Sequence, residues 1–306
     1  MPFSTSELDI LKDFTVKQPA YLPASDGIKL VYYSYVPDKP EACLIFYHGA
    51  GFYSSALYQY FAKQLAEDYN IGCYLFDIRG HGHSEGTRGD APHFIQVLND
   101  VATATLFVRN AHPGVPIYLG GHSSGGGLVL NYIKYSKIRK NMALSYIDGY
   151  VLIAPYLGRD SGVLKEHSTV DTAFVKEVKV WVFILNGISY GYLFSHTPAV
   201  FFNYPAKLVD KYPLIVPSYT PTMMAATSPE SPRNIFAKLT TKPLALFAAE
   251  NDEQFEAQKL IEYKNSIPNI YSRLSIAKIV PDTKHLDIML HSAGDCAAFI
   301  KKTNKQ

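Results

Sequence analysis

A chain of 306 residues that is 47% apolar and 18% charged can bury a substantial core, which argues against a disordered protein. Its net charge of +2 comes with no basic block and no basic pattern interleaved with aromatics, so nucleic acid is not expected as a partner. Cys43, Cys73 and Cys296 are odd in number and sit in apolar surroundings, which favours buried thiols over a disulfide framework. No Cys/His cluster has zinc spacing, so neither a metal nor a cofactor is expected. The amino terminus, MPFSTSELDILKDF, lacks a basic segment followed by an apolar core. Cytoplasmic residence is therefore the expectation, with signal-independent export left open.

In chain order, strand patterns are predicted at about 29–36, 42–47, 71–76, 116–120, 149–153, 244–249 and 275–280, several of them apolar throughout as in a buried parallel sheet. Helical patterns at 56–69 and 94–108 are long enough to cross over such a sheet, and those at 254–263 and 292–301 can cover it near the carboxyl end. The expectation is an α/β fold with a mostly parallel central sheet flanked by helices. The alternation breaks after Ala154-Pro155 and resumes near Asn234, an interval too long for a loop. It divides the chain into a core of 1–157 and 235–306 and an inserted cap of 158–234.

Four chemical features fall at strand ends. His48-Gly49-Ala50-Gly51 follows the run ACLIFY. Gly121-His122-Ser123-Ser124-Gly125 lies between a strand-like and a helix-like run, the context of a nucleophile elbow. A serine on so sharp a turn leaves no room for side chains two residues to either side, which accounts for Gly121 and Gly125. Glu250-Asn251-Asp252 follows LALFAA, and Pro281-Asp282-Thr283-Lys284-His285 follows SIAKIV. This is the order nucleophile, acid, base, with Ser123, Asp252 and His285 as leading members and Glu250 as a rival acid. Ala50 and Ser124 are the expected backbone donors to a tetrahedral oxyanion. His122 is assigned to packing, His81 and His83 to loop structure for want of a third metal ligand, and Asp77 and Arg79 to a loop-shaping ion pair. His291 is a rival base only by residue type, and Asp287, two residues past His285, is an alternative carboxylate to orient its imidazole.

With Ser25-Asp26-Gly27 and the loop Asp77-Ile78-Arg79-Gly80-His81-Gly82-His83-Ser84 added to these motifs, the chain resembles the monoglyceride lipase and lysophospholipase branch of the α/β-hydrolases, a branch that includes serine aminopeptidase-like sequences. The resemblance runs over nearly the whole chain. It implies Ser123 as nucleophile, Asp252 as acid, His285 as base, and Ala50 and Ser124 as oxyanion donors. It departs at Ala249, where a glycine is common.

The interval 180–206 contains no Asp, Glu, Lys or Arg, and eight of its 27 residues are aromatic. Interruptions at Asn186, Gly187, Gly191, His196, Pro198 and Pro205 rule out a spanning helix of about 20 residues. Much of this surface is expected as the cap's own core, and the part facing the cleft as a wall for acyl chains, with Trp181, Phe183, Phe194 and Phe201 as candidate substrate-binding residues. The expected function is hydrolysis of carboxylic esters through an acyl-enzyme, with a monoacylglycerol or lysophospholipid as substrate and transient contact between the cap and a membrane surface. The alternatives are a peptidase or amidase, for which Glu166, Asp171 and Glu177 could supply an amine-binding carboxylate, and a catalytically silent binding protein on the same fold.

Overall fold

Strands composed almost wholly of apolar residues can be covered on both faces, and in this protein they occupy the centre of an eight-stranded sheet. A computed structural model describes residues 11–139, 142–166 and 174–304. The strands are β1 (Ala20–Pro23), β2 (Lys29–Tyr35), β3 (Ala42–Tyr47), β4 (Ile71–Phe76), β5 (Ile117–His122), β6 (Gly149–Ile153), β7 (Val175–Val178), β8 (Val200–Phe202), β9 (Ser218–Tyr219), β10 (Leu244–Ala249) and β11 (Ile276–Val280). The main sheet runs β1-β2-β4-β3-β5-β6-β10-β11, parallel from β4 to β11, with β1 and β2 antiparallel at one edge. All residues of β3, β4, β5, β6 and β10 are buried.

Helices α1 (Ala56–Tyr69), α2 (Phe94–Ala111) and α3 (Ser124–Ile138) follow β3, β4 and β5 and supply the crossovers that parallel strands require. The helix that follows the loop after β10 begins at Ala257, later than the expected 254, because the backbone N–H groups of Gln254 and Phe255 are turned back onto the Asp252 carboxylate. A last helix, Ala293–Asn304, covers the carboxyl end of the chain.

Between β6 and β10 the chain forms a second, three-stranded antiparallel sheet, β7-β8-β9, with α4 (Val180–Ile188), α5 (Ala206–Lys211) and α6 (Pro221–Thr227). The sequence carries no run that announces this sheet, since β7 reads Val-Lys-Glu-Val and is exposed throughout. Helix α6 packs on α2 and α3 and so joins the helical layer of the core. The start of the insertion is stitched to the loop after β10 by a bridge between Leu164 and Phe255 and by Lys165 Nζ donating to the Asp252 carbonyl at 2.7 Å.

The expected Asp77–Arg79 ion pair does not form. Buried Arg79 is held between Asp100 (2.6 Å) and Asp26 (2.9 Å), where its planar fork meets two carboxylates. Asp77 instead accepts the backbone N–H groups of Ser54 and His83. The three cysteines are free and buried.

Candidate active site

β5 ends in two glycines because the turn beyond it has no space for side chains. A Cβ on Gly121 would lie 2.3 Å from the Gly125 carbonyl carbon, and one on Gly125 would lie 2.3 Å from the Tyr47 carbonyl oxygen. Ser123 itself holds φ 52 and ψ −120, a conformation that is strained for a residue with a Cβ and that is stabilised only by surrounding contacts. Its N–H donates to the Ile153 carbonyl, and its own carbonyl accepts from Gly126 and Tyr156. The side chain is thus presented at the sheet edge, at the amino terminus of α3, where the helix dipole favours developing negative charge.

The loops after β10 and β11 reach the same point. His285 Nε2 lies 3.0 Å from Ser123 Oγ, and His285 Nδ1 lies 2.9 Å from Asp252 Oδ2. The other oxygen of that carboxylate, Oδ1, accepts the backbone N–H groups of Gln254 (2.7 Å) and Phe255 (3.1 Å), so the acid is fixed before it meets the imidazole. Ser123, Asp252 and His285 are 7%, 1% and 3% exposed. With Nδ1 facing a carboxylate, the proton of neutral His285 sits on Nδ1 and Nε2 is an acceptor directed at the serine hydroxyl. Burial opposes the charged imidazolium, but the charge and hydrogen bond of Asp252, with Glu253 and Asp287 behind it, outweigh burial and raise the pKa of His285.

The rival groups have other partners or lie at the surface. Glu250 is exposed and accepts the Asp282 N–H, Asp287 accepts the Lys284 N–H, and His291 ends a short helix with its side chain exposed. His122, expected only to pack, is a link between loops. Gly49 N–H donates to the Tyr58 hydroxyl, Tyr58 lies 2.9 Å from His122 Nδ1, and His122 Nε2 lies 2.8 Å from the His285 carbonyl. That carbonyl can only accept, so His122 carries its proton on Nε2, and burial keeps the ring neutral by pushing its pKa well down. The His285 backbone is gripped on its other side too, its N–H donating to Glu253 Oε2 at 2.9 Å. No local pattern in the sequence signals either grip. Among the described residues, no group of three or more His, Cys, Asp or Glu is gathered as a metal site.

A cavity of about 130 Å³ opens over Ser123 and His285, and Ala50 and Ser124 lie on its wall. Its apolar lining comes from Tyr156, Leu164, Phe174, Val200, Phe202 and Met224 among others. None of Trp181, Phe183, Phe194 and Phe201 lines it. The reason is alternation along β8: Phe202 turns to the cavity, whereas Phe201 turns away and lies under the Lys179 ammonium, 4.8 Å from the ring centre. Trp181 packs edge-on against Phe194 on the outside of the insertion, and Phe183 is half-buried against the core. Phe174, outside the interval the sequence singles out, stacks on Phe202 at 4.9 Å and completes that wall. Of the acidic residues considered for binding an amine, Glu166 and Glu177 are exposed and Asp171 lies outside the described residues.

The model of a family described as serine aminopeptidase, S33, matches residues 38–262. Among curated proteins the chain is similar to a monoglyceride lipase of Homo sapiens, 29% identical over 152 residues that cover 50% of this chain and 45% of that protein. It is also similar to a monoacylglycerol lipase of Mycolicibacterium smegmatis, 32% identical over 111 residues that cover 35% and 38%. The matched stretch spans less than half the length of either relative. Among solved structures, a soluble variant of monoglyceride lipase from Saccharomyces cerevisiae superimposes with a TM-score of 0.69 at 18% identity, over 95% of this chain and 97% of that one. At that identity the likeness is one of fold.

Proposed function

Because the chain belongs to the serine aminopeptidase S33 family, we propose that it is a serine hydrolase of carboxylic esters whose substrate is a monoacylglycerol or lysophospholipid. The observation that carries this reading is the hydrogen-bonded series Asp252–His285–Ser123 opening into an apolar cavity. His285 Nε2 takes the Ser123 proton as Oγ attacks the ester carbonyl. The Ala50 and Ser124 backbone N–H groups receive the tetrahedral oxyanion, and imidazolium returns the proton to the departing alcohol. Water, deprotonated by the same nitrogen, then attacks the acyl-enzyme, releasing the fatty acid and restoring Ser123.

The lining favours esters with apolar acyl groups over peptides with a free amine. Among the described residues that line the cavity there is no Asp or Glu to pair with a substrate ammonium, whereas each methylene placed against the aromatic wall gains about 0.8 kcal/mol. The names of the relatives agree with that preference. Contact with a lipid surface is supported by α4, of which only Val182 is buried, while Trp181, Ile184, Leu185 and Ile188 are exposed on an uncharged segment.

The test is fluorophosphonate labelling in competition with lipid esters. The wild-type protein is expected to be labelled and to be protected by a monoacylglycerol or lysophospholipid, and Ser123→Ala to lose both labelling and ester turnover by about 10⁶ in kcat while remaining folded. Labelling retained by folded Ser123→Ala would overturn the assignment.

A further inference from the structure

The Ala50–Gly51 peptide is held from above by the insertion. Its carbonyl, that of Ala50, accepts the Tyr204 hydroxyl, and its N–H, that of Gly51, donates to the Tyr219 hydroxyl at 2.8 Å. One step further on, the Gly51 carbonyl accepts the Val216 N–H at 2.7 Å. Gly51 has φ +63, and a Cβ there would lie 2.4 Å from the Val216 carbonyl oxygen and 3.1 Å from the Tyr204 ring, so the loop and the insertion meet with no space between their backbones.

We infer that Tyr204 and Tyr219 are positioning residues for the oxyanion hole, which is complete only while the insertion is seated on the sheet edge. The inference rests on the serine hydrolase reading. The peptide preceding the pinned one carries the Ala50 N–H, and its carbonyl, that of Gly49, is held by His48 Nδ1 and by the Phe52 N–H. Core residues therefore fix one side of Ala50, and the two tyrosines of the insertion fix the other. Tyr219 also touches the residue that carries the second donor, its hydroxyl interacting with the side chain of Ser124.

His81 fixes where the Tyr219 hydroxyl proton points. Its Nδ1 faces the Arg79 carbonyl at 3.0 Å and must carry the proton, so in the neutral ring Nε2, 2.8 Å from the Tyr219 hydroxyl, is the acceptor. The tyrosine oxygen is then left to accept from Gly51. Loss of that oxygen would strand a buried N–H and free the peptide plane to rotate, whereas the rings would keep their packing on Phe202, Phe52 and Phe174.

The experiment uses Tyr204→Phe and Tyr219→Phe with p-nitrophenyl butyrate as substrate, rates being referred to sites counted by exhaustive fluorophosphonate labelling. Each variant is expected to lose about 10- to 10²-fold in kcat per labelled site, less than the 10²–10³ typical of deleting an oxyanion donor, with KM within about twofold. Affinity for a trifluoromethyl ketone, whose adduct with Ser123 places an oxyanion in the hole, is expected to fall by the same factor as kcat/KM. An unchanged kcat per labelled site in both variants, or a fall in kcat with unchanged ketone affinity, would overturn the inference while leaving the triad intact. A wild-type protein that neither turns over the ester nor binds the ketone would overturn the hydrolase reading itself.

Discussion

At the Asp252 carboxylate the two oxygens have different partners, and that division is the ground for proposing it as the acid. Oδ1 is occupied by two backbone N–H groups of its own loop, which leaves Oδ2 to orient His285. Glu250, two residues earlier, spends its carboxylate on the Asp282 N–H at the surface. Asp252→Asn is expected to lower kcat by about 10⁴, because the amide can present its NH₂ to Nδ1 and stabilise the wrong tautomer, while Glu250→Gln leaves kcat near wild type. The reverse ranking would transfer the role to Glu250. The same carboxylate sets the pH dependence. Imidazolium cannot accept the serine proton, so kcat/KM must rise with pH through the His285 ionisation, and the raised pKa puts that midpoint above the usual histidine value of about 6.5. Asp252→Asn removes the largest influence favouring the charged form, so its residual activity is expected to rise at a lower pH. A wild-type midpoint clearly below 6.5 would contradict this electrostatic account.

At the scale of elements, β8 and α4 divide the aromatic segment between two surfaces. Phe202 faces the cavity and Phe201 faces out, a consequence of the strand's period of two. Phe202→Ala is expected to reduce kcat/KM for long-chain esters relative to butyrate esters by about 10- to 200-fold, and Phe201→Ala to leave that ratio unchanged. Equal effects of the two on both chain lengths would remove β8 from the acyl wall. Helix α4 and the turn after it present Trp181, Ile184 and Ile188, and then Tyr190 and Tyr192 at 93% and 90% exposure, to the outside. The double variant Ile184→Ser, Ile188→Ser is expected to weaken sedimentation with phospholipid vesicles several-fold while turnover of dissolved p-nitrophenyl butyrate stays the same. Unchanged vesicle binding would mean that α4 is not the contacting face. The sequence marks this whole interval as apolar, but it cannot sort inward from outward aromatics, because orientation depends on the pairing of β8 with β7 and β9, neither of which has a strand-like pattern of its own.

For the whole molecule, features whose cause is local were legible in the chain. A short all-apolar run such as ACLIFY or LALFAA, ending in a turn, fits a strand covered on both faces, and parallel strands deliver the loops that follow them to one edge, so the order of motifs already implied where Ser123, Asp252 and His285 would converge. The short edge strand β1 has no legible pattern, because only one of its four residues is buried and its partner lies across a turn. Proximity in the sequence suggests Asp77 as the partner of Arg79, but a guanidinium buried in the core takes the carboxylates that the packing of α2 and the β1–β2 turn bring to it. The hydrogen bonds that finish the site span 154 positions from Tyr204 to Ala50, 168 from Tyr219 to Gly51 and 163 from His122 to His285. The sequence by itself determined the strands of the parallel sheet, the elbow and the order of its chemistry, since these follow from hydrophobic period and from glycines at steric pinch points. Only the tertiary structure decided how Asp252 and Glu250 divide their partners, which aromatics face the cavity and which tyrosines meet the Ala50–Gly51 peptide, because a hydrogen bond or a cavity wall between residues so far apart in the chain leaves no periodic or compositional trace at either end.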